Sequence, residues 1–181
     1  MANRADIVIR IPTQEQVKFC VDYLNEGLIP ERVSESYKSG NYYQQLFGLI
    51  SQVVVGDLLG YQRPQNNGFD GGFDLECKGL KFDVKTEIRN ESYRVSEFVH
   101  NLAGSQVKFD CDGYIFCSYN KAKGEVEICG FTSKEAFLNN SKFYPCGEIR
   151  TRTDGTSFVV SDKNGLFEIT NKSLRDFHEL L

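Results

Sequence analysis

Residues 68–87 read GFDGGFDLECKGLKFDVKTE, and the way this stretch folds decides the rest. Its second half has the form of a β-hairpin, with residues 74–77 as one short strand, Lys78-Gly79 as a two-residue turn and residues 80–86 as the returning strand. Such a turn sets the register: Cys77 lies opposite Leu80, Glu76 opposite Lys81, Leu75 opposite Phe82, and Asp74 opposite Asp83. Directly opposed residues share a face, with Cβ atoms roughly 5 Å apart. Lys85 follows Asp83 by two positions and so falls on that face as well. The register gathers two carboxylates and an amine on one patch.

Carboxylates side by side repel each other unless a cation lies between them. A hard divalent ion such as Mg²⁺ suits the arrangement, because it takes one or two carboxylates, a backbone carbonyl, waters and the phosphate oxygens of a substrate. Asp74, Asp83 and the carbonyl of Val84 form the expected ligand set, with Mn²⁺ as an acceptable substitute. The Lys85 ammonium is placed to orient the attacking water or to stabilise charge on the phosphate. This is a constellation for phosphodiester hydrolysis. Asp70, in the same Phe-Asp context, is an alternative metal ligand. It reads better as a turn residue before Gly71-Gly72, since it has no cross-strand partner.

Asp74 followed by Asp83-Val84-Lys85 resembles the signature of the PD-(D/E)xK nuclease superfamily, an Asp and then, after a short hairpin, Asp/Glu-x-Lys. Phe73 stands where the signature has proline. The resemblance covers about residues 41–130. It implies a restriction-endonuclease-like core of α/β (α+β) class, with a central mixed sheet flanked by helices. Around that core this chain adds an N-terminal helical extension (1–40) and a strand-rich C-terminal tail (131–181), all within one nuclease domain. The resemblance also implies a helix before the hairpin that often brings a Glu beside the metal. Gln52 occupies that position here, which puts a second metal in doubt and leaves Gln52 a positioning or substrate-contacting role. A phage or mobile-element origin would suit such an enzyme.

Composition sets the outer bounds. The chain has 181 residues, 40% hydrophobic and 25% charged, enough to bury one ordinary globular core. No apolar run approaches the roughly 20 residues of a membrane span, and the first residues lack the apolar core of a signal peptide, so an intracellular, cytoplasmic protein is expected. The six cysteines include no C-x-x-C pair, and only two histidines could assist them, so zinc is rejected and the thiols read as small buried hydrophobes. A net charge of −4 argues against tight non-specific nucleic-acid binding, yet a local basic patch is compatible with it.

Along the chain, residues 6–11 suggest a short strand or an extended arm. Thr13 with Gln16 forms a capping box for a helix that Gly27 ends, and residues 28–39 read as a polar connector. Asn41 with Gln44 starts a long amphipathic helix to about Leu59, in which Gly48 and Gly56 would allow close approach to a sheet. Residues 92–107 carry apolar side chains at helical spacing, which places His100 on a helix surface. Strands are expected at 114–120, 125–131, 157–161 and 166–170, a short helix from Ser133, and a closing helix at 173–181. Arg89, Arg94 and Lys108 are candidate phosphate contacts, and Thr86 is a secondary positioning candidate.

The expected activity is therefore Mg²⁺-dependent endonucleolytic cleavage of DNA, by a homodimer if both strands are cut. Two other readings use the same residues: a catalytically inactive nucleic-acid-binding module, favoured by Gln52, and a structural or partner-binding protein in which Asp83 and Lys85 are only an ion pair.

Overall fold

The computed structural model describes residues 7–26, 42–64, 72–90, 99–152 and 155–181. In chain order the elements are β1 (Val8–Arg10), α1 (Gln14–Asn25), α2 (Tyr42–Leu59), β2 (Leu75–Cys77), β3 (Leu80–Arg89), β4 (Val99–Ala103), β5 (Gly113–Asn120), β6 (Glu125–Ser133), α3 (Lys134–Asn140), β7 (Lys142–Tyr144), β8 (Ile149–Thr151), β9 (Ser157–Val159) and β10 (Leu166–Thr170). The architecture is mixed α+β. A five-stranded sheet has the order β1-β6-β5-β3-β2, a three-stranded sheet the order β4-β10-β7, and β8 pairs only with β9. The larger sheet is mixed, because β3 runs parallel to β5 and antiparallel to β2.

The hairpin forms in the expected register, Leu75↔Phe82, Glu76↔Lys81 and Cys77↔Leu80. Lys78 and Gly79 both adopt positive φ, 52° and 76°. That is the backbone of a two-residue turn whose twist matches the flanking strands. Strand β5 is buried along its whole length, as its nearly continuous apolar sequence requires of a central strand covered on both sides. Strand β3 divides its residues by alternation. Phe82 and Val84 join the core formed with Leu49, Ile50, Val53 and Val54 of α2, and Asp83, Lys85, Glu87 and Arg89 take the opposite face. Helix α1 opens with the predicted capping box, Gln16 amide to Thr13 Oγ1 at 3.2 Å and Thr13 amide to Gln16 Oε1 at 2.8 Å.

The other face of the sheet is closed by the second sheet and α3. Tyr114 and Phe116 of β5 pack there with Leu102, Phe137 and Ile169. Strand β4 uses one edge to pair with β10. Its other edge is satisfied by side chains of β3: Arg89 Nη2 donates to the Val99 carbonyl at 2.8 Å, and Glu87 Oε1 accepts from the Asn101 amide at 3.3 Å. Two charged side chains stand in for a neighbouring strand.

Several expectations are corrected. Residues 99–103 are a strand followed by a 3₁₀ turn at Gly104–Gln106, not the second half of a helix. The pattern V-H-N-L-A also alternates, and pairing with β10 selects that period. His100 is consequently buried between the sheets rather than on a helix surface. The closing helix at 173–181 is replaced by 3₁₀ turns at Asn171–Ser173 and Phe177–Glu179. Arg175 between them is held extended by backbone bonds to Phe131 in both directions, which a helix would forfeit. Strands β7 and β8 were not anticipated. Neither Gly48 nor Gly56 presses on the sheet: a Cβ at Gly48 would meet open space, and one at Gly56 only ordinary contact with the Tyr61 carbonyl. Asn41, the whole connector at 28–39 and residues 92–98 lie outside the described residues, as do Asp70 and Arg94.

Candidate active site at the end of the hairpin ladder

The ladder between β2 and β3 stops one residue short of the expected Asp74–Asp83 pair. The Asp74 amide donates to the Phe82 carbonyl at 2.9 Å. Its carboxylate Oδ2 accepts from the Val84 amide at 2.7 Å, filling the place a strand carbonyl would take. This departs from simple cross-strand opposition: the Asp74 carboxylate lies along the strand edge, not squarely opposite Asp83. The amide and carbonyl of one strand residue point the same way. The Val84 carbonyl therefore also points past the end of β2, toward the Asp74 side.

Asp83 and Lys85 meet on the adjoining face, Nζ to Oδ2 at 2.7 Å, with 20% of the Lys85 side chain and 8% of the Asp83 side chain accessible. So dry a carboxylate is held by its lysine and by little else from solvent. Around it lie Cys111 and Tyr114, both buried. Burial pushes up the Cys111 thiol, and the Asp83 charge adds to the rise while Lys134 and Lys85 oppose it. The same burial, then the neighbouring Cys111 and the Asp83 charge, push up the Tyr114 phenol. Lys134 is tethered by donating from Nζ to the Phe109 carbonyl at 2.7 Å. Cys111, Tyr114 and Lys134 went unnoticed in the sequence because no local spacing connects them to Asp83.

Gln52 and Asp74 line one shallow depression between the end of α2 and the segment from Tyr61 to Pro64. Helix α2 thus brings Gln52 to the carboxylate nearest the sheet edge, while Asp83 and Lys85 stay on the face turned away from α2. Beside the depression, Arg63 pairs with Asp57 at 3.1 Å and with Glu15 at 3.0 Å, which fixes this wall.

Glu87 and Arg89 continue the charged face of β3 inward. Burial raises the Glu87 carboxyl above the usual glutamate range, with Arg89 and the Asn101 amide acting against that rise. Arg89 is not an outward phosphate contact. Its Nε donates to Ser118 Oγ at 2.9 Å and its Nη2 to the Val99 carbonyl, and burial lowers its pKa. Lys108 is exposed in the turn before β5, as a surface contact would require. Thr86 faces the opposite side from Lys85, with its hydroxyl buried and unbonded. His100 donates or accepts at Nε2 with Asn171 Oδ1 at 2.7 Å, and burial, with the Arg89 charge, holds its pKa down at about 3. A ring neutral at all ordinary pH is no proton shuttle.

Among the described residues no group of three or more His, Cys, Asp or Glu side chains is close enough to hold a metal by itself. A hard ion that takes one or two carboxylates, a carbonyl and several waters asks for less. The groups at this end of β3, the carboxylates of Asp74 and Asp83 and the Val84 carbonyl, are of the oxygen types that such an ion takes. No helix among the described residues is long and apolar enough to cross a membrane. Comparison with protein-family models, with curated proteins and with solved structures finds no match to the chain.

Proposed function

We propose that the chain is a Mg²⁺-dependent endonuclease that hydrolyses phosphodiester bonds in DNA, using a PD-(D/E)xK-like site. The observation that carries this reading is the junction at the end of the hairpin. Asp74 caps the Val84 amide at 2.7 Å, and the neighbouring Asp83 is paired with Lys85 at 2.7 Å in a nearly dry setting. Two carboxylates and a lysine at adjoining strand positions are costly in a fold, and chemistry gives them a purpose.

In this reading Asp74, Asp83 and the Val84 carbonyl hold the ion. Mg²⁺, when bound, supplies Lewis acidity at the scissile phosphate. Lys85 Nζ then turns from Asp83 toward the attacking water, orients it and stabilises the charge that develops on the phosphate. The buried surroundings strengthen each of these interactions by excluding solvent. Gln52, in the depression beside Asp74, contacts substrate or positions the Asp74 side. Cutting both strands of a duplex with one such site per chain calls for two copies, so a homodimer belongs to the same proposal.

The test is cleavage of supercoiled, branched and single-stranded DNA with Mg²⁺, Mn²⁺ or EDTA, for wild type, Asp83→Asn and Lys85→Ala. Metal-dependent cutting should fall by at least about 10²-fold in each variant. No cutting by the wild type, together with no Mg²⁺ binding by calorimetry, would sink the reading. The direct Asp83–Lys85 contact favours a second reading, in which the pair is structural and neutralises itself. In that case metal binding is absent and both variants lose stability rather than activity.

A further inference from the structure

Asp83 and Lys85 share their face of the sheet with a second lysine. In the parallel ladder Tyr114 and Phe116 of β5 stand directly beside Asp83 and Lys85, and neighbours in register point to the same side. Phe137 of α3 packs on both rings, with centroids 5.0 and 5.9 Å away. Helix α3 therefore lies on the face that bears Asp83, and Lys134 is its first residue. The Lys134 Nζ donates to the Phe109 carbonyl at 2.7 Å. That same carbonyl accepts from the Cys111 amide at 3.0 Å, so the ammonium stands in the turn that delivers Cys111. The charges of Asp83, Lys134 and Lys85 all act on the Cys111 thiol, which places the three around one group. The approach to Asp74 presses on this turn as well. A Cβ at Gly72 would come within 3.0 Å of Phe109 Cβ and 3.2 Å of the Asp110 amide nitrogen.

The acids of this corner are otherwise engaged. Lys81 Nζ pairs with Asp110 at 3.1 Å, and the Lys81 amide donates to Asp112 Oδ2 at 2.8 Å. Glu135 is exposed at the next helix position, about 100° further around the axis. Among the described residues Lys134 has no carboxylate within ion-pair distance, and the Phe109 carbonyl takes one of its three ammonium donors. Two donors remain on a half-buried side chain.

Charge balance gives them a use. In the nuclease reading the carboxylates of Asp74 and Asp83 cancel a divalent ion, and Lys85 offsets the single negative charge of one phosphodiester. When water attacks and gives up its proton, the phosphate gains a second negative charge, for which that set has no counterpart. A cation already fixed beside the phosphate stabilises such charge without reorganising.

We propose that Lys134 is the second cation of the candidate site, donating from Nζ to a non-bridging oxygen of the scissile phosphate while Lys85 serves the attacking water. The proposal rests on the nuclease reading.

The experiment uses the full chain and a labelled DNA duplex. Lys134→Gln keeps a donor for the Phe109 carbonyl and removes the charge. At saturating duplex with Mg²⁺, it should cut about 10²-fold more slowly than wild type in a single turnover. With Ca²⁺ in place of Mg²⁺, fluorescence anisotropy between about 50 and 200 mM salt should show its plot of log Kd against log salt flattened by about one unit. Lys134→Arg should keep the wild-type slope and recover most of the rate. Lys18→Gln on α1, which packs against α2 on the other side of the central sheet, should change neither quantity. If Lys134→Gln keeps the wild-type rate and slope while the wild type cuts, Lys134 only holds the turn and the nuclease reading stands. A slower rate with an unchanged slope also overturns the phosphate contact, because the lost tether then accounts for it. A flattened slope with an unchanged rate moves the contact to another phosphate and overturns the assignment to the scissile one. If the wild type neither binds nor cuts the duplex, the nuclease reading falls and this one with it.

Discussion

Two acid–base pairs lie on one face of β3, Asp83 with Lys85 and Glu87 with Arg89, at the same spacing and only a few residues apart. The outer pair is bonded to itself at 2.7 Å, and its lysine keeps a fifth of its side chain accessible. The inner pair is turned to construction, with Glu87 and Arg89 each satisfying a backbone group of β4. What separates them is the element that arrives to cover them, not anything in their immediate sequence. Charge that is bonded only to its own partner stays available for chemistry, whereas charge committed to the backbone of a second sheet serves to attach it.

That contrast can be broken most directly at Arg89. Arg89→Met strips the Val99 carbonyl and Ser118 hydroxyl of their donor and removes one cation that acts on Glu87, and buried hydrogen-bonding groups left without a partner typically cost about 1–3 kcal/mol each. Urea unfolding should show a loss of that order. A loss below about 1 kcal/mol would mean the inner pair does not attach the second sheet. The outer pair should behave in the opposite way. In the double variant Asp83→Asn/Lys85→Met both charges leave together, so stability should stay within about 1 kcal/mol of wild type while metal-dependent cleavage disappears. A loss comparable to that of Arg89→Met would make the outer pair structural as well.

The smallest effect is a slope. Burial raises the Glu87 carboxyl in the folded chain above its value in the unfolded one, so the folded form keeps its proton to higher pH. Stability from this group is then fully present below the ordinary glutamate range and falls as pH rises through the raised value. Glu87→Gln removes the titration. The melting temperature of the variant relative to wild type should be flat at low pH and should climb across that window. Parallel curves would place the Glu87 carboxyl in ordinary surroundings.

The sequence was most legible where the determinants are local. Lys78-Gly79 dictates a turn, the turn dictates the register, and alternation then puts Asp83 and Lys85 on one face, all within a dozen residues. Continued by two positions, the same alternation would have exposed Glu87 as a further acid on that face. Legibility ended where a partner from far along the chain decides. Nothing near Asp74 reveals that its amide turns to Phe82 and that its carboxylate replaces a strand acceptor for Val84. Arg89 reads as an outward cation until β4 covers it. Residues 99–103 fit a helical stripe until β10 offers a strand to pair with. Strands β7 and β8 are three residues each, too short for any periodicity to register.

Lys78 and Gly79, at positive φ, also have a bearing on time. A two-residue loop closes within microseconds, so β2 and β3 can zip together as a unit from neighbouring residues alone. The parallel partner of β3 arrives much later in the chain, the Lys81–Asp112 contact spanning 31 positions, and closing a longer loop costs more entropy before any bond is gained. The β2–β3 hairpin can therefore form before the parallel strand is in place. A lesion in that turn would register first as slower refolding, before any change in the finished molecule.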